Sequence, residues 1–116
     1  MKRVCYIFPV LMLAGGLAWS FRTRADEKPD GAALFRSKCS MCHGVDGKGF
    51  AAIKTPDFTD PKVQAAITDK EMTAIIKEGK KGTVMAPFAD KLKDDEIEAL
   101  VKFIRSLNSK KNEKEK

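Results

Sequence analysis

The chain has 116 residues, 43% of them hydrophobic and 33% charged, and 22 basic against 16 acidic residues give a formal net charge of +6. Four of the basic residues (Lys2, Arg3, Arg22 and Arg24) and none of the acidic ones precede residue 26, so the remainder carries only +2. That remainder has no basic stripe interleaved with aromatics, which excludes a nucleic-acid partner. It also shows neither an internal repeat nor the period of a strand.

The first 25 residues read as a signal peptide. Met1-Lys2-Arg3 is a short positive stretch, and Val4 to Trp19 is apolar, broken by Cys5, Tyr6, Pro9 and Gly15-Gly16. Ala18-Trp19-Ser20 places small residues at both recognition positions, with cleavage before Phe21; cleavage after Thr23-Arg24-Ala25 is the second choice. The apolar run is near the lower length limit for a membrane span, so an uncleaved anchor is the alternative. Either way the rest is exported, with a periplasmic location expected and membrane attachment only if the leader is retained. Residues 26–108 are the expected domain, followed by a disordered charged tail over 109–116. About 90 exported residues bury only a modest core by themselves.

Within the domain, Asp30 can cap a helix running through Leu34 and Phe35 to Cys42. Gly31, Phe35 and Cys39 fall at steps of four and share one face, where a glycine permits close approach of a second helix. Gly44, Gly47 and Gly49 end this helix in a turn-rich loop. No strand precedes that loop and no helix opens from it, so a phosphate-cradling role is weak. Residues 50–59 read as extended loop with Pro56 and Phe58 directed inward. Asp60-Pro61 starts a short helix to about Ile67. Thr68-Asp69-Lys70-Glu71 is a capping box for a helix carrying Met72, Ile75 and Ile76 on one face and ending at Gly79. Lys80 to Ala89 is a loop. Asp94, Asp95 and Glu96 suit the start of a last helix in which Ile97, Leu100, Val101, Ile104 and Leu107 follow the helical period, with Phe103 beside them. The class is all-α.

The chemistry concentrates in Cys39-Ser40-Met41-Cys42-His43. Two thiols three positions apart followed by an imidazole have the spacing of a c-type haem attachment site. Each thiol can add across a haem vinyl group, and the adjacent imidazole then becomes an axial iron ligand. His43 is the only histidine. A thioredoxin-like site would need a βαβ setting, and structural zinc would need a fourth ligand that only Cys5, in the leader, could provide. Of the five methionines, Met1 and Met12 lie in the leader, Met41 sits between the thiols and points away, and Met72 occupies a core-facing helical position. Met85, in a loop fixed by Ala86-Pro87, can close over the opposite haem face, although a loop methionine is also a common apolar plug. Two protein ligands would leave no open position for a substrate.

These features together resemble a class I cytochrome c of the small bacterial exported kind, over about Asp30 to Leu107. The resemblance is carried by Gly31-x-x-x-Phe35-x-x-x-Cys39, by Cys39-Ser-Met-Cys42-His43-Gly44, and by Asp46-Gly47-Lys48-Gly49. Further along it includes Gly79, Met85-Ala-Pro87-Phe88, and the stretch from Leu100 through Phe103 to Leu107. It implies a cytochrome c-like fold of three to five helices around one haem c attached through Cys39 and Cys42, with His43 and Met85 as metal ligands. It also implies that Gly31 and Phe35 pack against Leu100 and Phe103, and that a proline carbonyl, here Pro56, receives a hydrogen bond from the free nitrogen of the ligand ring. Many relatives bind a propionate with Trp or Tyr. The only Trp (Trp19) and Tyr (Tyr6) lie in the leader, so that task would fall to backbone amides, Lys48, Lys54, Thr55, Thr59 or Thr83.

The expected function is a monomeric one-electron carrier between a redox donor and acceptor, and not an enzyme. Lys48, Lys54, Lys77, Lys80, Lys81 and Lys91 could form a positive rim that steers acidic partners, or be an ordinary solvated surface. The alternatives are a haem subunit of a larger complex, or a haem-based peroxidase or gas sensor with a labile sixth ligand.

Overall fold

The computed structural model describes the backbone of residues 27–114 and the side chains of residues 27–108; the leader and its cleavage sites lie outside them. Among the described residues every regular element is helical. The N-terminal helix is built from three consecutive pieces, Gly31–Leu34, a π-helical turn Phe35–Cys39, and Ser40–His43. A 3₁₀ turn Ala51–Ile53, a short helix Pro61–Ala65, a helix Asp69–Glu78 and the C-terminal helix Asp94–Lys114 follow.

Local chemistry accounts for most of these boundaries. The Asp30 carboxylate accepts from the Ala32 and Ala33 amides at 2.9 and 3.2 Å, satisfying donors that the first turn leaves unpaired. Asp60 does the same for Lys62 at 2.8 Å, with Pro61 in the first turn where its missing N–H costs nothing. Thr68 and Glu71 complete the capping box: the Thr68 hydroxyl accepts from the Glu71 amide at 3.2 Å, and the Glu71 carboxylate accepts from the Thr68 amide at 2.8 Å. Gly79 ends that helix with φ 74° and ψ −178°, a conformation essentially reserved for glycine.

The core unites the N-terminal helix, the capping-box helix and the C-terminal helix through Phe35, Met72, Ile76, Leu92, Ile97, Leu100, Val101 and Ile104. The contact between the N-terminal and C-terminal helices depends on Gly31. A Cβ there would lie 2.7 Å from the Ala99 carbonyl carbon and 3.0 Å from the Phe103 Cβ, so only a residue without one lets the helices cross so closely. One turn on, the fully buried Phe35 meets the Phe103 ring at 5.3 Å, tilted by 51°. Leu100, also fully buried, belongs to the same cluster. The expected pairing of Gly31 and Phe35 with Leu100 and Phe103 is therefore present.

Five expectations change. The π turn inserts a residue into the first helix, so the Ser40 amide, and not that of Cys39, bonds back to the Phe35 carbonyl; the steps of four from Gly31 do not continue unbroken to Cys39. The helix begun by Pro61 ends at Ala65, two residues earlier than expected, and residues 50–59 contain the 3₁₀ turn. Pro56 is exposed, whereas Phe58 does turn inward. The C-terminal helix continues to Lys114 through residues expected to be a disordered tail. That segment is rich in Lys and Glu, good helix formers, and lysines suit a helix C-terminus.

Candidate functional site

The site is assembled from the end of the N-terminal helix, the glycine-rich loop after it, and the loop over residues 80–89. Cys39 and Cys42 are free thiols, both partly buried. Burial pushes the Cys39 thiol up to about 11, and the neighbouring Cys42 adds to the rise. Cys39 packs against the core cluster. Met41, between them, is 89% exposed and turned away from the core, as expected.

His43 closes the helix. Burial lowers its pKa below the usual histidine value, which favours the neutral ring with a lone pair to donate. Its Nδ1 is buried and has no hydrogen-bond partner. The expected bond to the Pro56 carbonyl is thus not formed. That carbonyl instead crowds Gly49, lying 2.7 Å from where a Cβ would stand. The His43 ring is held by aromatic contacts, stacked on Phe58 at 5.0 Å and 22°, with Phe35 tilted at 6.5 Å.

The loop after His43 folds back under it. The Gly49 amide donates to the His43 carbonyl at 2.8 Å, the Gly47 amide to the Gly44 carbonyl at 3.1 Å, and the Phe58 amide to the Gly47 carbonyl at 2.8 Å. The hydroxyls expected to serve a carboxylate are committed locally: Thr55 to Phe50, Thr59 to Asp57 at 2.6 Å, and Thr83 to the Lys80 carbonyl at 2.7 Å.

Met85 lies in the second loop and packs, partly buried, against the same core cluster as Cys39 and Phe58. Its amide donates to the Thr83 hydroxyl at 3.2 Å, and its carbonyl accepts from the Lys80 amide at 3.2 Å. That carbonyl would lie 2.6 Å from a Cβ on Gly79, so the glycine that ends the helix also seats the methionine loop. The loop is tied back to the helix by the Phe88 and Ala89 amides, which donate to the Ile76 and Lys77 carbonyls at 3.0 and 3.2 Å.

The donor set fits a covalently held haem. Two free thiols, an imidazole that burial holds toward its neutral form, and a thioether against a shared apolar cluster are the groups such a cofactor takes. Among the described residues there is no group of three or more His, Cys, Asp and Glu side chains that could hold a bare metal ion. No helix there is long and apolar enough to cross a membrane. Of the six lysines named for a positive rim, Lys77 pairs with Asp94 at 2.7 Å and Lys91 lies over the Phe88 ring at 5.5 Å. Lys48, Lys54, Lys80 and Lys81 are exposed.

Sequence reasoning missed a polar cluster behind the site. Gln64, in the short helix, is buried; its Nε2 donates to the Phe58 carbonyl at 2.6 Å and to the Ile104 carbonyl at 2.8 Å. Arg105 donates to the Gln64 side-chain oxygen at 2.9 Å, to the Ile67 carbonyl at 2.6 Å and to Asp69 at 2.6 Å. These partners are some 40 residues apart in sequence, and no local pattern signals them.

Comparison with known proteins gives concordant results. The family model described as cytochrome c oxidase, cbb3-type, subunit III matches residues 26–104. The chain is similar to the cbb3-type cytochrome c oxidase subunit FixP of Rhizobium meliloti (strain 1021), 29% identical over 89 residues, covering 73% of this chain and 30% of that protein. It thus spans well under half of that relative's length. Among solved structures it is similar to the KustC0563 c-type cytochrome, with 34% identity, a TM-score of 0.62, and coverage of 67% of this chain and 96% of that one. It is also similar to the dihydro-heme d1 dehydrogenase NirN in complex with DHE, with 30% identity, a TM-score of 0.58, and coverage of 66% of this chain and 16% of that one.

Proposed function

The chain belongs to the family of cbb3-type cytochrome c oxidase subunit III and is a class I c-type cytochrome, and from that premise we propose that it carries single electrons between redox proteins through one covalently attached haem. Haem c, when bound, supplies an iron centre that cycles between the ferrous and ferric states. Cys39 and Cys42 would hold it through thioethers, and His43 and Met85 would supply the two axial ligands. The observation that carries this reading is the setting of His43: the only imidazole of the chain, held toward its neutral form by burial and placed directly after two free thiols. Phe58 and Phe35 keep that ring in place, and the Gly79-seated loop presents the thioether. With His43 and Met85 both committed to the iron, no coordination position would remain for a substrate, which favours electron transfer over catalysis. A soft thioether also raises the reduction potential. The exported location and the identity of the redox partners belong to the same proposal.

The test is direct. Purified from a host able to attach haem, the protein should gain the mass of one haem and keep its colour after extraction with acidified organic solvent. The ferric form should show a thioether-to-iron charge-transfer band and should bind carbon monoxide poorly when reduced. Met85→Ala should lose the band and bind carbon monoxide readily. A colourless protein, or pigment that extracts, overturns the reading.

The family match and the FixP similarity also favour a second reading, in which this chain is a fixed haem-bearing component of an oxidase. Co-purification with an oxidase from gently solubilised native membranes would support it; recovery in the soluble periplasmic fraction would support the diffusible carrier.

A further inference from the structure

We propose that Gln64 is a positioning residue for the His43 imidazole, acting through Phe58. The proposal rests on the reading of His43 as an iron ligand and adds what fixes its ring. Gln64 and Thr59 are the buried polar side chains of the core, and Gln64 is only 7% exposed. An apolar side chain could pack the short helix against the C-terminal helix without the cost of desolvating an amide. Gln64 instead fills three of its four side-chain hydrogen-bonding positions. Its two N–H groups go to the Phe58 and Ile104 carbonyls, and its oxygen accepts from Arg105, which has only donors and therefore fixes which way the amide faces.

The consequence falls on Phe58. This residue lies in irregular backbone, yet it is pinned on both sides, its N–H by the Gly47 carbonyl at 2.8 Å and its C=O by Gln64 at 2.6 Å. Its ring is the one stacked on His43. Because the His43 Nδ1 makes no hydrogen bond, the imidazole has no polar anchor on that side, and ring contacts set its orientation. Arg105, braced by Asp69 and the Ile67 carbonyl, carries the constraint from the C-terminal helix. A hydrogen-bonded chain thus runs from Arg105 through Gln64 to Phe58, and a stacked contact completes it to His43.

The orientation of an axial imidazole sets the unpaired-spin pattern of ferric haem, which the hyperfine-shifted haem methyl resonances report. Gln64→Leu keeps the volume and removes the three side-chain bonds of Gln64, those to the Phe58 and Ile104 carbonyls and that from Arg105. Arg105→Lys is the milder variant, since one ammonium cannot serve the Gln64 oxygen, the Ile67 carbonyl and Asp69 together. Ile97→Val is the control for a purely structural loss. In the ferric holoprotein, Gln64→Leu should change the order or spread of the methyl shifts, Arg105→Lys should change them in the same sense by less, and Ile97→Val should leave them at wild-type values while lowering the unfolding midpoint. If Gln64→Leu does not fold, Arg105→Lys decides. Methyl shifts in the folded variants no different from those of Ile97→Val would overturn the proposal and leave Gln64 as helix packing. A wild type without a histidine-ligated low-spin signature would overturn the functional reading itself, and this proposal with it.

Discussion

The crossing of the two terminal helices and the pair of loops that carry the candidate ligands are held by different physics. At the crossing, Phe35, Ile97 and Leu100 are essentially removed from solvent, and Gly31 lets backbone approach backbone. The loops bury little: Val45, Phe50, Ile53 and Val84 are all exposed, and order comes from amide-to-carbonyl bonds and from glycines at φ between 70° and 77°. The crossing should therefore answer to changes of volume and the loops to changes of backbone freedom. Damage to the first should register as lost stability, and damage to the second as altered ligation.

The largest effect is expected at Phe35. Phe35→Ala should lower the unfolding free energy by about 3–5 kcal/mol, because a fully buried aromatic leaves both a transfer loss and a cavity. Denaturant titration would measure it, and a loss below about 1 kcal/mol would mean that the crossing is not the main source of stability. Gly31→Ala should cost about 1–3 kcal/mol from overpacking against Ala99 and Phe103.

Gly79→Ala tests the other side of the contrast. The backbone conformation at that site costs a non-glycine residue about 1–3 kcal/mol, and the new Cβ would press on the Met85 carbonyl. The methionine–iron charge-transfer band should weaken far more than for Gly31→Ala at matched stability; equal weakening would erase the distinction between the two regions. Thr68→Ala should cost about 1 kcal/mol through the lost cap and leave the band untouched. The same cap predicts a pH dependence. The Thr68 amide, and then its hydroxyl, hold Glu71 below the usual carboxylate range. A depressed carboxylate contributes stability above its unfolded pKa and loses it as pH falls through the folded one. Glu71→Gln should therefore flatten the acid limb of the stability curve, as followed by circular dichroism, and Thr68→Ala, which keeps the backbone amide, should flatten it by less.

What could be read from the sequence follows the same divide between local and distant causes. The Asp30 and Asp60 caps, the Thr68–Glu71 box, the stop at Gly79 and the apolar period of the last helix each involve residues a few positions apart, and each is found as expected. The crossing was legible only because family resemblance paired Gly31 and Phe35 with Leu100 and Phe103. The π turn at Phe35–Cys39 has no composition signal, since its extra residue is set by how the helix must meet its partner. The Gln64–Arg105 cluster closes over some 40 residues and was invisible for the same reason. Pro56 shows the limit of analogy: a proline stood at a suitable place, but the loop aims its carbonyl at Gly49 and away from the imidazole.

Gly31 and Ala99 meet across most of the domain's length, and this bears on the order of events during biogenesis. A polypeptide emerging N-terminus first cannot close its core until the segment around Ala99 to Phe103 has been delivered. Cys39 and Cys42 are synthesised long before that moment and stay reachable in a pliable chain while the last helix is still to come. The architecture thus leaves an interval in which both thiols are more accessible than they are once the core has closed.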